Sequence, residues 1–233
     1  IDDLSHLNDS QKTFDINVTT SVNADIIIET WDAQGNTAHT QDFKASSGNV
    51  PVVAYGRGGT YGLITIRNGC NHITVRTLAL EITANASNFI LDARGAGVND
   101  ESINVEYNYS YANGGYGSIA LKSFAKGRIK NNILVTGNIN GIASSRNIVC
   151  ENNTIVAHIA HVDIARAGVR YNQNITRNNA VFNFGQTSGY KDYLSLSGIV
   201  EYNASSDNSG SAGLQNLSLL DQYEDPANHD WRP

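Results

Sequence analysis

The 233-residue chain contains no methionine, so Ile1 is not a translational start, and the numbering is expected to begin after a removed signal peptide or a missing amino-terminal region. No apolar run reaches the ~18 residues that a membrane-crossing helix needs, which excludes insertion by such a helix. Basic residues are the scarcer charge, 16 Lys and Arg against 22 Asp and Glu, for a net charge of −6. Without a basic stripe to neutralise phosphates, nucleic acid is excluded as the natural partner. The acidic balance suits a protein outside the cell or on a cell or virion surface. Zinc-ligand spacing, a phosphate-cradling glycine loop and a nucleophile elbow are all missing, so no metal site and none of those chemistries is expected.

What the chain has in quantity is a repeat. Asn108, Asn132, Asn153, Asn179 and Asn203 recur at steps of 24, 21, 26 and 24 residues. The segments around them are Val105-Glu-Tyr-Asn-Tyr, Ile129-Lys-Asn-Asn-Ile, Cys150-Glu-Asn-Asn-Thr, Thr176-Arg-Asn-Asn-Ala and Val200-Glu-Tyr-Asn-Ala. One step earlier, Val75-Arg-Thr-Leu-Ala carries leucine in place of the amide. A self-similar period of about 20 to 30 residues marks a solenoid, in which each repeat buries its apolar face only against its neighbours. Asparagine suits a stacked turn because it tolerates positive φ and because its amide both donates and accepts. Stacked at about 4.8 Å, such amides form a continuous hydrogen-bonded row that fixes the register of every coil.

Two further rows follow from that register. Arg76, Glu106, Lys130, Glu151, Arg177 and Glu201 alternate in sign without exception, so each charge should lie above and below an opposite one on the outer surface. Val75, Val105, Ile129, Cys150, Thr176 and Val200 alternate with the charges and should point inward as the core. The register separates the two cysteines as well. Cys70 and Cys150 lie about three to four coils apart, or about 15 to 19 Å, whereas a disulfide needs Cα atoms within about 7 Å. Two buried free thiols are expected.

The Asn-Asn segment pattern, over residues 50 to 205, resembles the right-handed parallel β-helix proteins of the pectate-lyase-like superfamily. The resemblance implies an all-β, single right-handed parallel β-helix of about eight or nine coils with an internal asparagine ladder. Residues 1–20 are expected to form an amino-terminal cap or lead-in, 21–205 the β-helix, and 206–233 a non-repeating segment. The ending Asp225-Pro-Ala-Asn-His-Asp-Trp-Arg-Pro233 is similar to the segment that closes many secreted β-helix proteins, and either the chain is expected to continue beyond it or its carboxy-terminal part is expected to be disordered. Thr83 to Asn99, Tyr109 to Gly117 and Phe184 to Asp192 read as outward insertions.

Many members of that superfamily cleave polysaccharides with basic residues, paired aspartates and sometimes calcium. The hydrolase branch needs an Asn-Thr-Asp segment, an Asp-Asp pair and a Gly-His-Gly segment, a set this chain lacks; Arg128-Ile-Lys130 alone matches one short motif of that branch. Two clusters remain. His161 and Asp163, two apart on one strand face, with His158, Arg166 and Arg170 nearby, could abstract a proton beside a uronate carboxylate held by a guanidinium. The same face reads equally as a solvated strand with an ion pair. Tyr107, Tyr109, Tyr111 and Tyr116 could stack on sugar rings, or on one another between coils. The sequence therefore favours a non-catalytic structural or binding protein at an exterior surface, such as an extracellular fibre subunit, an adhesin, or a virion spike or decoration protein. Its expected partners are copies of itself, as a trimer or end to end, and polysaccharide. No cofactor is expected. The alternative is a polysaccharide lyase or glycoside hydrolase acting on acidic polysaccharide, with calcium and with His161, Asp163, Arg166 and Arg170 as its catalytic groups.

Overall fold

Short segments alternating apolar and polar residues at period two, separated by tight turns, form strands that find hydrogen-bond partners only by stacking on the coil before and after. A computed structural model describes residues 14–16, 26–29, 52–55, 64–66, 72–82, 89–93, 102–112, 117–121, 126–136, 140–143, 148–158, 166–170, 174–184, 189 and 191–226. The first rung is β1 (Phe14–Ile16), β2 (Ile26–Glu29) and β3 (Val52–Tyr55). The second is β4 (Ile64–Ile66), β5 (Ile73–Arg76) and β6 (Ala79–Ile82), and the third is β7 (Phe89–Ala93), β8 (Ser102–Glu106) and β9 (Tyr109–Ala112). The fourth is β10 (Gly117–Leu121), β11 (Lys126–Lys130) and β12 (Ile133–Thr136), and the fifth is β13 (Asn140–Ala143), β14 (Ile148–Glu151) and β15 (Thr154–Ala157). The sixth is β16 (Ala167–Arg170), β17 (Ile175–Arg177) and β18 (Ala180–Phe182), and the last is β19 (Lys191–Leu194), β20 (Ile199–Glu201) and β21 (Ala204–Ser205).

Each strand pairs in parallel with the strand three places on, which makes three seven-stranded sheets. The protein is an all-β parallel β-helix. Among the described residues the stack has seven rungs, where about eight or nine are expected from the mean period; Ile26 pairs with Ile73, 47 residues later, well beyond that period. Two of the expected outward insertions belong instead to the stack, since Phe89–Ala93 and Tyr109–Ala112 are strands. Phe14–Ile16, inside the expected lead-in, already pairs with Ile64–Ile66.

The interior is filled from all three sheets: Val75, Val105, Ile129 and Cys150 from the second, Leu80, Leu134, Ile155 and Val181 from the third, and Leu91, Ile119, Ile142 and Val169 from the first. Packing is tight where the first and third sheets meet; a Cβ on Gly168 would overlap Val181 Cγ1. A second apolar cluster lies on the opposite, outward face of the third sheet. There Tyr109, Val135, Val156 and Phe182 are covered in part by Leu217, Leu219 and Tyr223 of the carboxy-terminal segment.

The asparagine ladder stands as the spacing predicts, every member buried. Asn108, Asn132, Asn153 and Asn179 each donate from Nδ2 to Oδ1 of the next, at 3.1, 2.9, 2.9 and 3.0 Å. Each amide also bonds backbone: Asn153 Nδ2 reaches the Ile129 carbonyl, and its Oδ1 accepts the Asn132 N–H. At the leucine step, the Leu78 N–H still donates to Asn108 Oδ1, and the Leu78 side chain turns into the core.

Two expectations need correction. The ladder asparagines do not have positive φ. The residue before each does, namely Tyr107, Asn131, Asn152, Asn178 and Tyr202, and so does Thr77 before Leu78 at the leucine step, all with φ between 53° and 56°. The left-handed residue makes the turn, and the ladder asparagine fills the space the turn leaves. Val200 is not buried core: it is 43% exposed, because β20 is the edge strand of its sheet among the described residues, while Val75, Ile129, Cys150 and Thr176 of the same row are at 0%.

Candidate functional site

The outer charge row is in register, Arg76 beside Glu106, Glu106 beside Lys130, and onward to Glu201. Glu29 of β2, beside Arg76, adds a seventh member that keeps the alternation. The contacts are pairwise rather than continuous. Glu29 holds Arg76 at 2.5 Å, Glu106 holds Lys130 at 3.4 Å and Glu151 holds Arg177 at 3.0 Å. Seven charges leave one over, and that one is Glu201, at the end of the row with no ion pair to any described residue. Lys130, part of the short Arg128-Ile-Lys130 motif, is thus committed to Glu106, and its Nζ also lies 5.9 Å from the Tyr107 ring centre.

The histidine and arginine cluster is only partly visible. His161 and Asp163 lie outside the described residues. Arg166 is exposed just before β16, and Arg170 closes that strand, half-buried. His158 turns up in a different association. Its Nε2 is 2.7 Å from the Tyr111 hydroxyl, with the rings edge to face at 5.3 Å.

The four tyrosines are not one platform. Tyr107 occupies the left-handed turn and is exposed, Tyr109 is buried under the outer cluster of the third sheet, and Tyr111 is half-buried against His158. Tyr116 lies outside the described residues.

One polar centre has no counterpart among the expected sites. Asp192 of β19 is fully buried and takes four donated hydrogen bonds: the Phe184 N–H on Oδ1, and the Ser206 N–H, Ser206 hydroxyl and Asp207 N–H on Oδ2. Asp207 in turn accepts from the Asp192 N–H and from the Ser209 N–H and hydroxyl. Burial first, and the Asp207 carboxylate second, push the Asp192 carboxyl up to about 7 against the lowering effect of those donors. The centre fastens the segment after the last strand onto the end of the stack. Its signal in the sequence is the run Ser205-Ser-Asp-Asn-Ser-Gly-Ser211, where apolar periodicity stops immediately after the last ladder asparagine.

Cys150 is a free, buried thiol, pushed up to about 12 chiefly by burial, and so behaves as a small core residue rather than a nucleophile. Cys70 lies outside the described residues. Among the described residues, no group of three or more His, Cys, Asp or Glu side chains could hold a metal ion, and no helix is long and apolar enough to cross a membrane. Comparison with protein-family models, with curated proteins and with solved structures finds no match to this chain.

Proposed function

We propose that this chain is a pectate-lyase-like β-helix used for structure and binding rather than catalysis, at an exterior surface, as a fibre subunit, an adhesin, or a virion spike or decoration protein. The observation that carries the reading is where the described charges are used: three ion pairs of the outer row take Glu29, Arg76, Glu106, Lys130, Glu151 and Arg177. Asp192 and Asp207 hold the end segment in the same way. A protein of this kind works by presenting a stiff surface to copies of itself and to polysaccharide.

The test is incubation with a panel of uronate-containing polymers, scored for unsaturated products and new reducing ends, beside glycan-binding and sedimentation measurements. Binding or assembly without product release is expected. Product release that His161→Ala and Asp163→Ala abolish would instead establish a lyase or hydrolase. One observation favours that alternative, the 2.7 Å contact between the Tyr111 hydroxyl and His158 Nε2, which joins two groups able to pass a proton.

A further inference from the structure

The end of the stack is closed over two of its three sheets and open over the third. Beyond β21, the Ser205 N–H donates to the Leu214 carbonyl, and the Leu217 N–H donates to the Ser205 carbonyl. Beyond β19, Asp207 and Ser209 accept from the Asp192 and Tyr193 N–H groups. The turn between β20 and β21 is closed too, since Ser211 Oγ accepts from the Asn203 N–H in the place where the next ladder asparagine would sit. Among the described residues nothing of this kind lies over β20. Ile199 is 53% exposed, Val200 43% and Tyr202 65%, and Glu201 lacks an ionic partner among the described residues.

The same four residues occur once more, inside the stack. Val105-Glu106-Tyr107-Asn108 of β8 and its turn repeats as Val200-Glu201-Tyr202-Asn203. The interior copy shows what such a surface accepts. Strand β11 lies on it in parallel, Ile129 beside Val105 in the core and Lys130 beside Glu106 outside. The Lys130 ammonium then serves two groups at once, 3.4 Å from the Glu106 carboxylate and 5.9 Å from the Tyr107 ring centre. Glu201 and Tyr202, with the same backbone and φ of 53° at the tyrosine, present that receptor unfilled.

We propose that the β20 edge is a docking slot for one extended strand of a partner protein, pairing in parallel and carrying a β-branched or other apolar residue over Val200 followed by a lysine or arginine over Glu201. Backbone pairing supplies the attachment and the cation supplies the choice, as in other strand additions to a sheet edge. A second copy of this chain fits poorly. Its β2 would bring Ile28 over Val200 but Glu29 over Glu201, and like charges directly opposite oppose pairing. The end segment also occupies the layer above β19 and β21 that a second copy's β1 and β3 would need. The slot therefore admits a single strand of about three residues, about 10 Å long, and refuses a blunt stack. The inference stands apart from the question of catalysis.

The probe is a synthetic peptide with the sequence of residues 126–136, which includes the Ile129-Lys130 pair, titrated into the isotopically labelled full chain while backbone amide resonances are followed. Shifts confined to Ile199–Tyr202 are expected, with a peptide bearing Glu for Lys binding about five- to tenfold more weakly. Glu201→Lys should invert that preference, and the inversion separates charge recognition from a variant that is merely damaged. Equal binding of both peptides, shifts elsewhere or no shifts at millimolar peptide would overturn the proposal. So would concentration-dependent self-association of the unmixed protein that broadens the same four resonances, since the slot would then belong to a second copy.

Discussion

The inner turn of the repeat and the last layer of the stack solve one problem in two ways. Both must satisfy buried backbone N–H and carbonyl groups where the chain leaves one sheet for the next. At the repeated turn, a single residue type does so five times, each asparagine amide donating to a carbonyl and accepting from a backbone N–H, and the first four donating to the next amide as well. At the last described rung Asp192, Asp207, Ser206, Ser209 and Ser211 supply carboxylate and hydroxyl acceptors instead. Neutral amides can be stacked without limit. Two carboxylates held close together cannot, and they make the end sensitive to pH.

The sharpest way to break the comparison is at the middle of the ladder. Asn153→Ala removes the acceptor for both the Asn132 N–H and its Nδ2, and the donor to the Ile129 carbonyl, all buried. A loss of about 3 kcal/mol is expected in denaturant unfolding, since each buried group left unpartnered costs about 1 to 3 kcal/mol. The unfolding should stay a single transition, because the defect lies between rungs that stabilise one another.

Asp192→Ala should cost less, about 2 kcal/mol, and in a different manner. Hydrogen exchange should speed up in residues 205–217 while the second sheet stays protected. The pH dependence separates the two regions further. The Asp192 carboxyl is raised from 3.8 to about 7 in the folded chain, so the stability it contributes is complete below about 4 and is lost as pH rises through about 7. Protection of residues 205–217 should fall over that interval in the native protein and stay flat in Asp192→Asn. A native profile that is flat between pH 4 and 8 would show the carboxylate to be satisfied by its four donors.

The contrast also explains what can be read from the sequence. A ladder residue leaves the same mark every two dozen positions, so Asn108 to Asn203, the charge row and the inward row are legible with their register. The repeat points to a left-handed position one residue late because Asn-Asn occurs in three of the segments, and only the coils with Tyr107, Thr77 and Tyr202 separate the two roles. The first sheet is largely invisible. Its strands sit between turns of varying length, so its inward residues, among them Leu91, Ile119 and Ile142, keep no constant spacing from the asparagines. The end segment occurs once, and partners such as Asp192 and Ser206 are 14 residues apart with nothing repeated to align them. The pairing of His158 is hidden for a similar reason: no periodicity relates His158 to Tyr111, 47 residues away.

A smaller effect is expected where the turn carries the wrong residue. Thr77 is β-branched, yet it holds φ of 54° where three equivalent turns use asparagine. Thr77→Asn should stabilise the chain by about 0.5 to 1 kcal/mol, the scale of left-handed strain relieved, read as a rise in the unfolding midpoint. A fall would mean that the Thr77 hydroxyl bond to the Arg76 carbonyl outweighs the strain.

The smallest effect should come from the charge row, although with seven members it is a longer regular pattern than the ladder. Glu151→Lys puts a third cation between Lys130 and Arg177, yet Arg177 remains 43% exposed at its side chain and water screens the repulsion. A loss of about 0.2 to 0.5 kcal/mol at low ionic strength is expected, falling by half or more in about 0.5 M salt. The row contributes to register more than to stability. A one-rung slip would leave each inward residue facing inward and each asparagine over an asparagine, whereas the two charges brought together at the junction would share a sign. If the reversal instead cost several kcal/mol independent of salt, Glu151 would have to be acting as a buried hydrogen-bonding group like the ladder amides beside it, and the distinction between inner and outer rows would fail.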